Sequence, residues 1–274
     1  MMQSLDRKRL QGALANSAMR FDLRAYAQVD STQDLVARAA TAGAQEGLVV
    51  FADEQLLGRG RAGRSWIAPR GSSLMFSVLL RPGADAEGWI TLSLVAGLAV
   101  VEGLVLAGGP ATQLKWPNDC LCGDRKLAGI LAESPAPREG ERVVVLGVGC
   151  NVSWEGSELP PELRRTATAC DLEGYAVDRT RLAEAVLSRL ATRYREWAVG
   201  GFAALREEWL RHAAWLGQEV IAEHPAGPVV GRAVDISDGG ELIVETSSGP
   251  IAIAAGELER APGPQLRLAD GVAG

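Results

Sequence analysis

Histidine is scarce in this chain of 274 residues, which contains only His212 and His224. The sequence also lacks a G-x-S-x-G element and a phosphate loop of the form G-x-x-x-x-G-K-[ST]. These absences argue against hydrolysis by a serine, histidine and acid triad and against a nucleotide site of the phosphate-loop type. Any chemistry must therefore use other polar groups.

Cysteine is sparse and poorly spaced for binding a metal ion. The chain has Cys120, Cys122, Cys150 and Cys170, which include a C-x-C pair but no C-x-x-C pair. No histidine at a spacing suitable for zinc accompanies them. We predict reduced, buried thiols.

The chain has neither an excess of positive charge nor a long uninterrupted apolar run. Its net charge of −6 gives no general attraction to phosphate backbones. The longest apolar stretch, residues 92–101, is interrupted by Glu102, well short of the ~18 residues that a membrane span needs. The first twelve residues lack the apolar core of a secretory signal. We expect a cytoplasmic protein that binds neither nucleic acid nor membrane.

The length favours one large α/β domain with a small appendage. Ser31 or Thr32 can cap a helix that contains Asp34 in its first turn. Apolar periodicity predicts helices over residues 34–42, 89–107, 179–197 and 202–215. Apolar runs predict strands over residues 48–53, 73–81, 113–116, 126–133 and 143–149.

After Leu216 the residue pattern changes to short runs typical of β-strands: EVIAE, VVGRAVDI, ELIVET and PIAIA. Turn signals at residues 238–240 and 247–249 separate the later runs. This pattern predicts a β-barrel or sandwich of about 45 residues. A module of that size is marginal alone, so we expect it to dock on the larger domain.

The segment from Gly58 to Arg64 reads GRGRAGR and alternates arginine with small residues. Glycine lets the chain approach an anion closely, and arginine binds phosphate or carboxylate. We predict a loop without regular structure that orders around an anionic ligand, although an isolated segment of this kind could equally be an exposed basic loop.

Two lysines accompany predicted strands. The motif KWPND, residues 115–119, follows a strand, and Pro117 should present Asn118 and Asp119 at the strand's end. Lys126 begins the otherwise apolar run KLAGILAE, where a lysine needs an anionic partner. The same run contains Gly129, which would let a ligand or another backbone lie against the sheet.

A fourth motif, GVGCN at residues 147–151, ends an apolar strand with an amide that can donate and accept hydrogen bonds. Alone it indicates only a strand-to-loop junction. Together the motifs supply cationic side chains with Asn and Asp groups. Such groups suit a reaction in which a substrate oxygen is the nucleophile and the protein neutralises negative charge. Activation of a carboxylate by ATP fits this inventory.

Taken in order, the motifs STQ, EQLLGRGRAGRSW, KWPND, RKLAGILAE and GVGCN resemble the signature series of the biotin protein ligases, also called biotin–acetyl-CoA-carboxylase ligases. The resemblance covers the chain from about Tyr26 to the terminal β module. It implies an α/β (α+β) fold with a mixed β-sheet flanked by helices, like that of class II synthetases, and a C-terminal SH3-like barrel. We place the domains at residues 1–215 and 216–264, followed by a tail at 265–274.

The resemblance also implies roles for individual residues. Lys126, Arg61 and Asp119 match the positions that would serve the reaction. Positions matched to biotin binding are Ser31, Thr32, Gln33, Gln55, Gly58, Arg59, Arg61, Lys126 and Gly129. Positions matched to ATP or adenylate binding are Arg61, Arg64, Trp66, Lys115, Asn118, Lys126 and Asn151.

Asp119 leaves alternatives open. It could orient a magnesium ion or the incoming acceptor lysine, or it could simply cap a turn. The resemblance implies biotin, ATP and Mg²⁺ as participants, but no metal ligand can be assigned firmly.

The implied partner is a biotin carboxyl carrier protein or domain whose lysine accepts biotin. Only 25 residues precede Tyr26, too few for the DNA-binding helix-turn-helix domain of bifunctional relatives, so we expect no repressor function. Monomer and weak homodimer both remain open, because edge strands of the sheet could pair with a copy or with the acceptor.

Three rival interpretations deserve a test. A lipoate ligase or octanoyltransferase would carry a Gly-rich stretch followed by His and Asp, which is absent here. A nucleotide sensor that regulates DNA would need a DNA-binding region. A plain scaffold would leave Lys126 on its apolar strand unexplained. Biotin-dependent exchange of pyrophosphate into ATP would separate a ligase from these.

Overall fold

The larger part of the chain forms one sheet, seen in a computed structural model that describes residues 5–83, 88–135, 142–154 and 160–261. Within these residues the sheet has seven strands: β1 Asp22–Tyr26, β2 Leu48–Ala52, β3 Ser73–Leu80, β4 Gln113–Lys115, β5 Asp119–Cys122, β6 Arg125–Glu133 and β7 Val144–Asn151. Their order is β1-β2-β3-β7-β6-β5-β4. β1 and β2 are parallel and the other neighbours antiparallel, so the predicted mixed sheet is confirmed.

Helices flank this sheet, as predicted. They are α1 Arg7–Ala13, α2 Thr32–Thr41, α3 Leu92–Leu106, α4 Pro161–Thr166, α5 Arg179–Gly200 and α6 Arg206–Arg211. The predicted cap of α2 is confirmed, because the Ser31 hydroxyl accepts a hydrogen bond from the Asp34 amide at 3.4 Å. This cap fixes the start of α2 beside β3 and β7, which α2 contacts.

Helix α3 is the most apolar segment, and residues 89–106 are long and apolar enough to cross a membrane by composition alone. In the fold, however, α3 lies in the core and packs against α5. Glu102, which interrupts the apolar run, accepts from Arg189 of α5 at 2.6 Å and also pairs with Arg193. The helix therefore behaves as the buried core helix that the sequence predicts.

The small C-terminal domain is a second, antiparallel sheet. Its strands are β8 Glu219–Ala222, β9 Val229–Ile236, β10 Leu242–Thr246, β11 Gly249–Ile253 and β12 Leu258–Arg260, in the order β11-β10-β9-β8-β12. Its buried side chains, such as Val220 and Val244, belong to the same apolar cluster as the main core. The small domain is thus docked on the large one, as expected.

Some elements were not predicted. The strands β1, β5 and β12 have three to five residues and show little apolar alternation, so no period-two pattern marks them. The predicted helix over residues 202–215 is wrong in extent, because only α6 and a short turn at Phe202–Ala204 are helical. Leu205, at φ −113°, separates the two, and α6 ends at Arg211, before Trp215, which has φ +62°.

Candidate active site

A cavity opens on the sheet where β3, β6 and β7 lie side by side, with the Gly/Arg loop, residues 58–66, across it. Eleven of the predicted site residues line this cavity: Ser31, Thr32, Gln33, Gln55, Arg59, Arg61, Arg64, Trp66, Asn118, Lys126 and Gly129. These residues come from four separate motifs in the sequence. The fold therefore brings together most of what the sequence analysis selected.

One end of the cavity carries neutral polar groups that are already bonded to one another. The Gln55 side-chain oxygen accepts from the Thr32 amide at 2.8 Å, and the Thr32 hydroxyl lies 2.8 Å from the Ser77 hydroxyl. Ser77 donates to Gln33 Oε1 at 3.0 Å, and Gln33 Nε2 donates to the Val145 carbonyl at 3.0 Å. All four side chains lie on α2, on β3 or on the segment after β2. We call this cluster the neutral end.

The floor of the cavity is made of glycines in register on neighbouring strands. Gly129 of β6 faces Gly149 of β7. A Cβ atom on Gly149 would lie 2.5 Å from the Trp66 ring, and one on Gly129 would lie 2.9 Å from Lys126 Nζ. The absence of side chains at these two positions gives the Trp66 ring and the Lys126 chain room against the sheet. Two side chains of the chain itself make the close approach at Gly129, and the approach of a ligand there stays a prediction.

Lys126 has the anionic partner that its strand position requires. Its Nζ atom lies 2.6 Å from Asp119 Oδ1, and both side chains are partly buried. The same ammonium lies 5.8 Å from the centroid of the Trp66 ring. Because Lys126 and Arg61 line one cavity, two cations face the space beside the glycine floor. We call this region the cationic end.

The Gly/Arg loop folds into a small hairpin. The Gly60 amide donates to the Arg64 carbonyl at 2.7 Å, and the Trp66 amide donates to the Gly58 carbonyl at 2.9 Å. Ala62 sits at the tip with φ +54°, in the left-handed region. A Cβ atom on Gly58 would lie 2.4 Å from the Trp66 carbonyl oxygen, so Gly58 lets the two arms of the hairpin meet. Gly58 thus supports the loop from within, without lining the cavity.

The arginines of this loop reach opposite sides of the cavity. Arg59 donates to Asp34 of α2 at 2.6 Å and also pairs with Glu133 at the end of β6. Arg61 donates to the Gly256 carbonyl of the small domain at 2.7 Å, and Arg64 pairs with Glu257 beside it. The loop is therefore held across the cavity by both domains.

The KWPND motif forms the turn between β4 and β5. Asn118 and Asp119 follow the end of β4, as predicted, and Asp119 is also the first residue of β5, where it pairs with Lys115 across the hairpin. Asn118 donates through Nδ2 to the Ile130 carbonyl at 2.7 Å, which holds its amide at the cavity wall. Its side-chain oxygen and second N–H group can still serve a ligand.

Four predicted site residues do not line the cavity: Gly58 and Asp119, described above, and also Lys115 and Asn151. Lys115 points to the domain junction, with its Nζ 5.1 Å from the Trp215 ring centroid. Asn151 is buried, and it donates to the Thr168 carbonyl at 2.9 Å and accepts from Ser73 at 3.3 Å. Both side chains serve the fold here, Lys115 by fastening the domains and Asn151 by tying β3 to the segment after α4.

Sequence reasoning missed Ser77 and the pair Gly256 and Glu257. Ser77 could have been noticed as a hydroxyl in the middle of the buried strand SLMFSVLL, where a polar group needs a partner. Gly256 and Glu257 carry no such signal, because only the docking of the small domain brings them to Arg61 and Arg64.

No group of three or more His, Cys, Asp or Glu residues that could hold a metal ion occurs in the described ranges. Asp119 is the carboxylate closest to the cationic end, and Lys126 already neutralises it. A magnesium ion is commonly held by one or two carboxylates together with substrate phosphates. The residues present fit an ion that arrives with a nucleotide rather than a resident metal.

All four cysteines are free, as predicted, but Cys122 is only partly buried, whereas Cys120, Cys150 and Cys170 are buried as expected. Burial, with a smaller contribution from the charge of Asp119, raises the pKa of the Cys120 thiol well above its ordinary value. Contact with Cys170 and burial raise the pKa of Cys150. These thiols are protonated at neutral pH and lie beneath the cavity as part of the core.

Comparison with known proteins gives separate matches for the large and the small domain. Residues 25–151 match the family model of the biotin/lipoate A/B protein ligase family, and residues 215–259 match that of the biotin protein ligase C terminal domain. A biotin--[acetyl-CoA-carboxylase] ligase of Mycobacterium tuberculosis is 38% identical over 93% of this chain and 95% of its own length. The bifunctional ligase/repressor BirA of Bacillus subtilis is 33% identical over 90% of this chain and 79% of its own.

A solved structure shows the same likeness. The biotin protein ligase from Aquifex aeolicus in complex with biotin and ATP superposes with a TM-score of 0.77 at 30% identity. The match covers 88% of this chain and 99% of that one.

Proposed function

The chain belongs to the biotin/lipoate A/B protein ligase family and carries the C-terminal domain of the biotin protein ligases. On that premise we propose that it forms biotinyl-5′-AMP from biotin and ATP and then passes the biotinyl group to a lysine of a carrier protein. The observation that carries this proposal is the polarity of the cavity, with a neutral end and a cationic end in one enclosure.

Biotin has the same polarity. Its ureido ring is uncharged and both donates and accepts hydrogen bonds, and its valeryl chain ends in a carboxylate. The neutral end offers hydroxyl and amide groups from Ser31, Thr32 and Gln55, while apolar Phe76 and Val148 line the walls. We place the ring there, with the apolar chain running past these walls and the carboxylate near Lys126.

The first half-reaction joins two anions. A biotin carboxylate oxygen attacks the α-phosphorus of ATP, a phosphorus–oxygen bond forms, and pyrophosphate leaves with the electron pair of the broken bond. The two substrates repel each other, and charge shifts to the leaving phosphates. Cations fixed beside both groups, Lys126 and Arg61, would offset that repulsion and stabilise the transition state.

The nucleotide would occupy the space between the glycine floor and the loop. Trp66 offers a ring face, and the Asn118 amide retains an acceptor and a donor for an adenine edge. Arg64 would approach the phosphates from the loop. Magnesium would enter on the phosphates of ATP.

The second half-reaction needs a neutral amine. The acceptor lysine nitrogen attacks the acyl carbon, an amide bond forms, and AMP leaves with the electron pair of the carbon–oxygen bond. Asp119 lies beside Lys126 and is the carboxylate best placed to orient the incoming lysine or take its proton. The mixed anhydride must be kept from water until that lysine arrives, which is the task we assign to the Gly/Arg loop.

The acceptor, compartment and assembly complete the proposal. We infer a biotin carboxyl carrier domain of a carboxylase as acceptor, a cytoplasmic setting, and no nucleic-acid partner. The balance of 28 basic and 34 acidic residues supports the last point, because it provides no global basic surface. For assembly, we propose a monomer or weak homodimer.

The test is incubation with biotin, ATP, magnesium and a purified carrier domain. We expect the mass of the carrier to rise by one biotinyl group, and labelled pyrophosphate to exchange into ATP only when biotin is present. Lipoate in place of biotin is the control, and it should support neither reaction. Ligand binding without exchange would contradict the proposal.

A further inference from the structure

The small domain touches the loop through two adjacent residues, between β11 and β12. Arg61 donates to the Gly256 carbonyl oxygen at 2.7 Å, and Arg64 pairs with the carboxylate of Glu257. Gly256 and Glu257 thus bind one loop arginine each. We call these two residues the corner.

The corner is held firmly in its own domain. Gly256 has φ +147°, and a Cβ atom there would lie 2.3 Å from the Glu223 carbonyl oxygen. Glu257 accepts from the Glu223 amide through its carbonyl at 2.9 Å, and its amide donates to the Glu223 carboxylate at 3.1 Å. The corner therefore presents its carbonyl and carboxylate from a fixed position.

The loop has few other fixed points near its tip. Its arms bond to each other through Gly60 with Arg64 and Gly58 with Trp66, and Arg59 ties one arm to Asp34 and Glu133. Without the corner, residues 60–64 would be tied to the rest of the protein on the Arg59 side alone. A loop held on one side opens more readily than a loop held on both.

We propose that the Gly256–Glu257 corner is a positioning element that keeps the Gly/Arg loop closed over the acyl-adenylate intermediate. This inference rests on the proposed function, and it gives the small domain a part in retaining the intermediate. Glu257 acts through Arg64 and does not touch the substrate. The Gly256 carbonyl acts in the same way through Arg61.

The experiment uses the full-length chain with Glu257→Gln, which keeps the side-chain shape and removes the charge. The control is Glu259→Gln, an exposed glutamate of the same domain two residues further on. Each protein is loaded with biotin and ATP without acceptor, and the release of biotinyl-adenylate is timed by its capture on free hydroxylamine. Urea unfolding of both variants checks that they are equally stable.

We expect Glu257→Gln to release the intermediate roughly 1.5- to 5-fold faster, the factor that a partly exposed ion pair supports, and Glu259→Gln to match the unmodified chain. Added salt should speed release from the unmodified chain towards the rate of Glu257→Gln, because salt screens the pair. A purely structural role for Glu257 would not produce this salt dependence.

Combining Glu257→Gln with Arg64→Gln distinguishes the pair from two independent effects. We expect the double variant to release the intermediate no faster than the faster single variant. Unchanged or slower release in Glu257→Gln, or additive effects in the double variant, would overturn the inference. Absence of biotin-dependent exchange in the unmodified chain would instead contradict the proposed function.

Discussion

The two ends of the cavity differ in burial and in the way that they are built. At the neutral end Thr32, Gln33 and Ser77 are almost fully buried, and each is bonded within the cluster before any ligand arrives. At the cationic end the Lys126 side chain is 33% exposed, and the loop that covers the cavity is held by surface ion pairs of Arg59 and Arg64, whose side chains are 43% and 57% exposed.

This contrast indicates two different tasks. A buried, bonded network is costly to rearrange, so the neutral end is formed in advance and can select a ligand by shape and hydrogen bonding. Exposed ion pairs contribute little each, so the loop can open for substrates and close over an intermediate. The neutral end would thus recognise its ligand with a rigid surface, and the movable loop would retain the intermediate.

Replacing the central cation should have the largest effect. Lys126→Gln leaves the neutral end intact but removes the ammonium that faces both substrate anions, so biotin-dependent pyrophosphate exchange should fall on the order of 10²- to 10³-fold. The matched control is Lys115→Gln, whose lysine contacts Trp215 outside the cavity. If the two variants lost equal amounts of exchange activity, the position of Lys126 in the cavity would not explain its effect.

Removing one hydroxyl of the neutral end should weaken binding of biotin alone. In Ser77→Ala, the hydroxyl of Thr32 and the amide oxygen of Gln33 each lose a buried hydrogen-bond partner. An unsatisfied buried polar group costs on the order of 1–3 kcal/mol, so we expect the Kd for biotin to rise by roughly ten-fold. Calorimetric titration measures it, and the KM for ATP should stay constant. Ser73→Ala, on the same strand but outside the cavity, should leave both values unchanged. A larger effect on ATP than on biotin would reverse the assignment of the two ends.

Loosening the loop should affect retention more than synthesis. We expect Arg61→Gly to release biotinyl-adenylate roughly two- to five-fold faster than the unmodified chain, measured by biotinylation of a bystander protein. Ala62→Gly serves as control, since it frees the same tip without removing a cation. If Arg61→Gly released no more intermediate than the unmodified chain, its assigned role would be wrong.

The buried thiols should contribute nothing to activity. Because burial raises the pKa of Cys120, iodoacetamide should not label this thiol in the native chain at pH 7.5, as intact mass and peptide mapping would show.

The same thiol should make stability depend on pH, because the unfolded thiol ionises near pH 8.5 while the folded one stays protonated. Stability is therefore complete below that pH and falls above it by roughly 1.4 kcal/mol per pH unit. Urea unfolding of Cys120→Ala should show a flatter decline between pH 8.5 and 9.5.

Much of the fold could be predicted where apolar patterning is strong. The strands β2, β3, β6 and β7 are nearly continuous apolar runs, and α2 begins at a serine cap, so each lies where the sequence places it. The short strands β1 and β5 could not be found, because their few residues carry no regular alternation. The end of α6 also escaped prediction, since apolar spacing continues after the helix stops.

The site was predictable as a set of residue types but not as an arrangement. Lys115 and Lys126 look alike in sequence, each beside a predicted strand, yet Lys126 enters the cavity and Lys115 lies at the domain junction. Strand register and the docked position of Trp215 decide between them. Asn151 likewise could bind a ligand by its residue type, but its side-chain nitrogen and oxygen are hydrogen-bonded to Thr168 and Ser73.

The sequence by itself determined the chemical groups: a glycine-spaced run of arginines, a lysine on an apolar strand, and a polar cap before α2. These follow from residue type and local spacing, which act over a few residues. Only the tertiary structure decided that Ser77 completes the neutral end and that Gly256 and Glu257 receive the loop. Those partners lie up to 195 residues apart in the chain, and the free energy that brings them together comes from burying the shared core of two domains.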